Sequence, residues 1–225
     1  MNDMLQKKLK GQLPFWDQLS GEQRDFLSER SKTLYLTTGE HIHGGNTDCL
    51  GVLIVLDGVL RTYLLSEDGK EATIYRLRSG DTCLLSASCI LDAVTFEVHI
   101  DAEEASEVIL IPTAVFSALS DENIYVENFS YKKVAERFSD VISAIERMLF
   151  MSLEQRLAAF LVDESAQSGQ SEIPLTHEQI ARAIGSAREA VSRILKQMST
   201  GGSIQLHRGG VRIADKAMLY QMMET

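Results

Sequence analysis

Arg188, Glu189, Ser192 and Arg193 crowd into one short stretch, GSAREAVSRILK, and carry side chains suited to reading base-pair edges. An arginine can bond guanine through two atoms at once, a glutamate can accept from the amino group of cytosine, and a serine can do either. On a helix Glu189 and Arg193 stand four residues apart and share a face, so both would enter one major groove. Thr176 and Ser186 precede two adjoining helical patterns, and His207, Arg208 and Arg212 follow in SIQLHRGGVRIAD, where they would meet phosphates. The bland alternative makes Glu189 a helix cap and the arginines a solvated face. It serves for any one residue but poorly for the whole constellation.

Two other groups invite chemistry. Cys83 and Cys89 frame LLSAS and, with Ser86 and Ser88, are candidates to line an effector pocket. The cysteines would form a redox pair only if the segment folds back, since in extended chain they are beyond disulfide reach. As small buried hydrophobes they need no such role. His41, His43 and His99 are candidate haem ligands. His41-Ile-His43 followed by Asp48 also resembles the first metal motif of cupins, although the acid is an aspartate and the later histidine context is missing. No metal site is assigned, and the cofactor is unknown.

These side chains need elements to position them. Thr176 with Gln179 forms a capping box that starts a helix with Ile180 and Ile184 inward, and Gly185 ends it. Ser186 with Glu189 repeats the capping pattern and begins a second helix that buries Val191, Ile194 and Leu195. With Ala181 small enough to pack opposite the turn, this is a helix-turn-helix. Two short strands about Gly209-Gly210 read as its wing. From Leu34 to Ile111 short strand-like runs recur, among them GVLIVLDG, VLRTYLL, ATIYRLR, FEVHI and VILI, with a hairpin turn at Asp68-Gly69. Beyond Pro112 the period changes. Ile124, Tyr131, Val134, Phe138, Val141, Ile145 and Met148 make a heptad seam on a long helix, with Ala135, Ile142 and Leu149 as a second stripe. One stripe is expected to pack on the β domain and the other on the same helix of a second subunit, with a single broad face buried in its own domain as the alternative. A helix over Leu153 to Ala166 follows, then SAQSGQSE, the best linker candidate.

Charge is distributed unevenly. The net value of −10 hides 7 Lys/Arg against 5 Asp/Glu in residues 170–225, and 15 against 27 before them. That suits a DNA-reading module on an acidic body. Three cysteines make an odd number in a chain whose first thirty residues lack a signal-peptide pattern, and no apolar run is long enough to span a membrane. The expected compartment is the cytoplasm.

Over nearly its whole length, through TTGEHIHGGN, LDGVLRTYLLSEDGKEATIYRLRSGD and GSAREAVSRILK, the chain resembles the Crp/Fnr superfamily of bacterial regulators. The resemblance implies an α+β fold in three parts: an antiparallel β-roll of the cyclic-nucleotide-binding type over 1–120, a dimerisation helix over 121–150 and a winged helix-turn-helix over 151–225. It also implies a non-enzymatic homodimer on a palindromic operator in double-stranded DNA, with RNA polymerase as partner if the protein activates and no membrane. Glu189, Ser192 and Arg193 match the reading pattern of the Fnr-like branch, and Arg188, Glu189 and Arg193 satisfy the Crp-like one, so TGA is the shared half-site core.

Members that bind cyclic nucleotide resemble one another in a glutamate for the ribose and an arginine for the phosphate. Here no arginine lies between Arg78 and Ile111, and Leu85 stands where the glutamate belongs, so cyclic AMP is not expected. No cysteine occurs in the first 48 residues, which argues against the iron-sulfur cluster of oxygen-sensing members. The alternatives are a cupin-like metal enzyme with a winged-helix tail, and an interaction module whose winged helix binds protein.

Overall fold

The computed structural model describes residues 2–44, 50–69, 71–84 and 98–224. The chain divides into two compact units, one of Met1–Leu64 with Ile74–Val141 and the other of Leu65–Thr73 with Ile142–Thr225.

The first unit opens with two helices ahead of the strands, α1 (Asn2–Gln12) and α2 (Gly21–Arg30), joined through a 3-10 turn at Trp16–Gln18. Leu5, Leu9 and Leu13 recur every four residues, which gives an otherwise polar stretch one apolar face. Ser20 starts α2: its hydroxyl accepts from the Gln23 N–H at 3.1 Å while Gln23 Oε1 accepts from the Ser20 N–H at 3.1 Å. Such a box contributes about 1 kcal/mol.

Among the described residues eight strands follow: β1 (Lys32–Leu36), β2 (His41–His43), β3 (Val52–Asp57), β4 (Leu60–Leu65), β5 (Glu71–Leu77), β6 (Thr82–Cys83), β7 (His99–Ala102) and β8 (Ser106–Ile111). They form two four-stranded sheets, ordered β1-β8-β3-β6 and β2-β7-β4-β5. Their antiparallel register runs from Lys32↔Leu110 to Leu36↔Ser106 at one edge, and from Val52↔Ile111 inward. All of Val52 to Val55 is buried, which explains why β3 reads as a continuous apolar run rather than an alternation. The expected hairpin turn stands between β4 and β5, where Gly69 takes φ +76° and its N–H donates to the Ser66 carbonyl at 2.9 Å.

Leu9, Leu13, Phe15, Trp16 and Leu27 from the N-terminal helices share one core with Val52, Ile54, Ile109 and Ile111 of the sheet and with Phe116 of α3 (Thr113–Glu122). Phe15 meets Phe129 edge-on at 5.1 Å.

The long helix is α4 (Ile124–Phe150). Its apolar residues divide differently from the expected seam. Val126, Phe129 and Ala144 are buried, and Val134 packs against the first unit's core. Tyr131, Ala135, Phe138, Ile142, Ile145 and Leu149 are exposed in steps of four and three. The outward stripe therefore combines members of both sequence stripes, because the side taken by the core removes Val134 and half-buries Val141.

In the second unit α5 (Leu153–Ser168) starts on a capping box of Ser152 and Gln155 and ends at left-handed Gly169. SAQSGQSE is therefore no interdomain linker: its first half completes α5, and its last residue opens β9 (Glu172–Ile173) within the same unit. After the helix-turn-helix and wing, α8 (Lys216–Glu224) returns to α5. Leu219 is fully buried in a core with Leu157, Leu161, Ile180, Val191 and Leu195. In the described residues no helix is long and apolar enough to cross a membrane.

Candidate nucleic-acid interface

Thr176 is the N-cap of α6 (His177–Ile184). Its hydroxyl accepts from the Gln179 N–H at 3.3 Å, and Gln179 Oε1 accepts from the Thr176 N–H at 2.8 Å. Ile180, Ala181 and Ile184 are buried. Gly185 then adopts φ +63°, a left-handed conformation that glycine takes without strain, and the Ser186 N–H donates to the Ala181 carbonyl at 2.9 Å.

The next helix, α7 (Arg188–Thr200), begins one residue later than expected. Its N-cap is Ala187, not Ser186, and alanine brings no side-chain acceptor. The helix therefore forgoes the roughly 1 kcal/mol that a serine cap contributes. Its stability comes from Val191, Leu195 and Met198, all buried, with Ile194 half-buried beside them.

Burying that side turns the other out. Glu189, Ser192, Arg193, Lys196, Gln197 and Thr200 line an open concavity along α7. Arg188 is drawn toward Glu178 at 3.9 Å, and Glu178 also faces Arg182 at 3.5 Å. Among the described residues Arg193 has no ion-pair partner. Ser192 is half-buried, its hydroxyl 2.9 Å from His177 Nδ1. Burial holds the His177 imidazole below its ordinary pKa, and the nearby charges of Arg188 and Lys196 lower it further.

The wing is a three-stranded sheet of order β10-β11-β9, with β10 (Ile204–His207) and β11 (Gly210–Ile213) turning at Gly209, φ +89°. A side chain at Gly210 would run into the His207 ring at 2.6 Å and the Ile173 carbonyl at 2.8 Å, so the hairpin closes only on glycine there. The pairing Arg212↔Glu172 lets Arg212 Nε donate to Glu172 Oε2 at 2.9 Å, and His207 Nε2 reaches the same carboxylate. The Arg212 hydrogen bond chiefly holds Glu172 below the usual carboxylate range, with His207 adding to it. Arg208 is exposed at the turn. Neither Glu172 nor His177 stood out in the sequence, because each acts across a fold-dependent contact.

The other candidates lie in the first unit. Cys83 is buried on β6, 3.9 Å from the Tyr75 hydroxyl, and burial raises that phenol well above its ordinary pKa. Ser86, Ser88 and Cys89, and with them the proposed redox pair, lie outside the described residues. His41 Nδ1 sits 2.6 Å from Asp101, His99 lies between the rings of His41 and Tyr63, and His43 is buried. Asp48 lies outside the described residues, and among those described no group of three His, Cys, Asp or Glu side chains is placed to hold a metal ion.

Residues 155–222 match the family model of the Crp-like helix-turn-helix domain. The chain is 24% identical over 177 residues to the transcriptional regulator SdrP of Thermus thermophilus, covering 76% of this chain and 83% of that protein. It is 23% identical over 182 residues to the cAMP-activated global transcriptional regulator Vfr of Pseudomonas aeruginosa, covering 76% and 84%. A crystal structure from Eubacterium rectale, assigned to the crp/fnr family of transcriptional regulators, superposes with a TM-score of 0.91 at 39% identity, covering 96% of this chain and all of that one.

Proposed function

Because the chain belongs to the Crp/Fnr family of transcriptional regulators, we propose that it binds a palindromic DNA site as a homodimer, with one α7 in the major groove of each half-site. The observation that carries this reading is the orientation of α7: its buried side fixes the helix, and Glu189, Ser192 and Arg193 are left along one outward concavity. Arg188 is steered toward Glu178, while Thr176, Ser186 and Arg208 flank the groove-facing helix and serve as phosphate contacts. Arg212 reaches phosphate only by leaving Glu172.

The dimer forms along α4, where Tyr131, Phe138 and Ile145 with Ala135, Ile142 and Leu149 offer an apolar stripe of heptad spacing. Val134 and Val141 flank it half-buried, and Met148 is exposed beside it. RNA polymerase is a further partner if the bound protein activates transcription.

Effector control is assigned to the first unit, where Cys83 is buried on β6. The effector is neither cyclic AMP nor an iron-sulfur cluster. Arg137, which α4 brings over the Tyr75 ring at 4.9 Å, already faces Asp140 at 2.7 Å and Asp81 at 3.4 Å, so a phosphate would find no uncompensated charge there. Selection of bound duplexes from a randomised pool tests the reading. The expected product is a palindrome with a TGA core in each half, and a pool without enrichment overturns it.

A further inference from the structure

The first turn of α6 touches the reading face of α7 at two points. His177 Nδ1 lies 2.9 Å from Ser192 Oγ, and Glu178 Oε2 lies 3.9 Å from Arg188 Nε. The first contact has a chemical consequence. A serine hydroxyl rotates freely and offers a base either a donor or an acceptor, so alone it discriminates poorly. Bonded to a neutral imidazole it loses that freedom. If Nδ1 carries the proton, it donates to Ser192 Oγ and takes one of the two lone pairs, which frees the hydroxyl hydrogen for the groove and leaves a single lone pair beside it. If Nδ1 is bare, it takes the hydroxyl hydrogen and leaves Oγ only as an acceptor. Either tautomer biases Ser192, toward donating in the first case and to accepting alone in the second, and burial with the nearby charges of Arg188 and Lys196 favours the neutral ring.

We propose that His177 is a positioning residue that fixes the hydrogen-bond polarity of Ser192 and thereby sets the base preference at one position of each half-site. The proposal rests on the DNA-reading role of α7. His177 itself need touch no base. It is half-buried between α6 and α7, and its ring nitrogen does its work through the serine.

The test measures binding of the full chain to the selected duplex and to duplexes carrying every symmetric single-base replacement in the half-site. Wild type, His177→Leu, His177→Asn, Ser192→Ala and the His177→Leu/Ser192→Ala double variant are compared. His177→Leu is expected to reduce discrimination about threefold to tenfold at one base pair per half-site, the worth of one hydrogen bond. The position is the one affected by Ser192→Ala, all others keep their preference, and the double variant is no worse than Ser192→Ala alone. His177→Asn keeps a polar atom near the place of Nδ1 and restores most of the preference. Should His177→Leu lower the melting temperature, His177→Asn set against Ser192→Ala still decides. A uniform loss over all duplexes, or independent effects that multiply in the double variant, overturns the proposal. Wild type binding every duplex alike overturns the DNA-reading role itself, a different failure.

Discussion

Replacing Phe138 by aspartate probes the proposed dimer where the free chain has least reason to care. Phe138 is 65% exposed on α4, so its ring contributes little to the core of its own protomer. A phenylalanine presents roughly 200 Å², and two thirds of that is about 130 Å² left for a partner. At about 25 cal/mol per Å² this is worth roughly 3 kcal/mol per protomer, and a two-fold axis doubles it to about 6 kcal/mol. Packing in the seam is imperfect, and areas of this kind are upper bounds. Half the sum still raises the dissociation constant at least about a hundredfold, before the penalty of setting a carboxylate against an apolar partner. Sedimentation equilibrium over a range of concentrations measures the change, and melting curves check that the monomer keeps its fold. A wild type that is monomeric at tens of micromolar (about two decades above a tight seam's expected constant) refutes the seam, as does a Phe138→Asp variant that dimerises unchanged.

Four further outcomes follow from the same geometry. Arg193→Ala should cost roughly 1 to 3 kcal/mol per half-site on the selected operator and little on scrambled duplex, read by paired anisotropy titrations; equal losses on both would make Arg193 a phosphate contact. Glu172→Gln should release Arg212 and His207 toward the backbone, tightening binding to any duplex and steepening the salt dependence by about one counterion per subunit. The Glu172 carboxyl is depressed in the fold, so its stabilisation is complete above the ordinary value of 4.5 and is lost as pH falls through its lowered value. The melting temperature of wild type should therefore drop more steeply below pH 4.5 than that of Glu172→Gln. Cyclic AMP at about millimolar concentration should leave the melting temperature unchanged, whereas binding with a micromolar constant would raise stability by roughly 4 kcal/mol.

What the sequence made legible was local. Thr176 with Gln179, and Gly185 after Ile184, mark α6 and its turn because caps are decided within four residues of chain. The strands around Asp68-Gly69 and the length of α4 were readable for the same reason. Ser186 misled because it sits in a capping pattern with Glu189, yet the extended backbone at Ala187 carries the chain into α7 one residue later. The helices α1 and α2 are not legible in the sequence, because a few leucines at spacing four specify a helix only once a sheet lies under them. The division of α4 into an inward and an outward face depends on which side meets the core, and no periodicity reports that. Glu172 and Arg212 are forty residues apart, and His177 and Ser192 fifteen apart, so both contacts exist only once β9 pairs with β11 and α6 crosses α7.

Whether α7 reads sequence is decided by a salt titration of wild-type binding to the selected duplex and to its scrambled counterpart. Linear log–log plots of negative slope are expected for both, with the selected duplex bound at least about a thousandfold more tightly at physiological salt. Equal affinity for the two duplexes at every salt concentration would contradict sequence reading by α7.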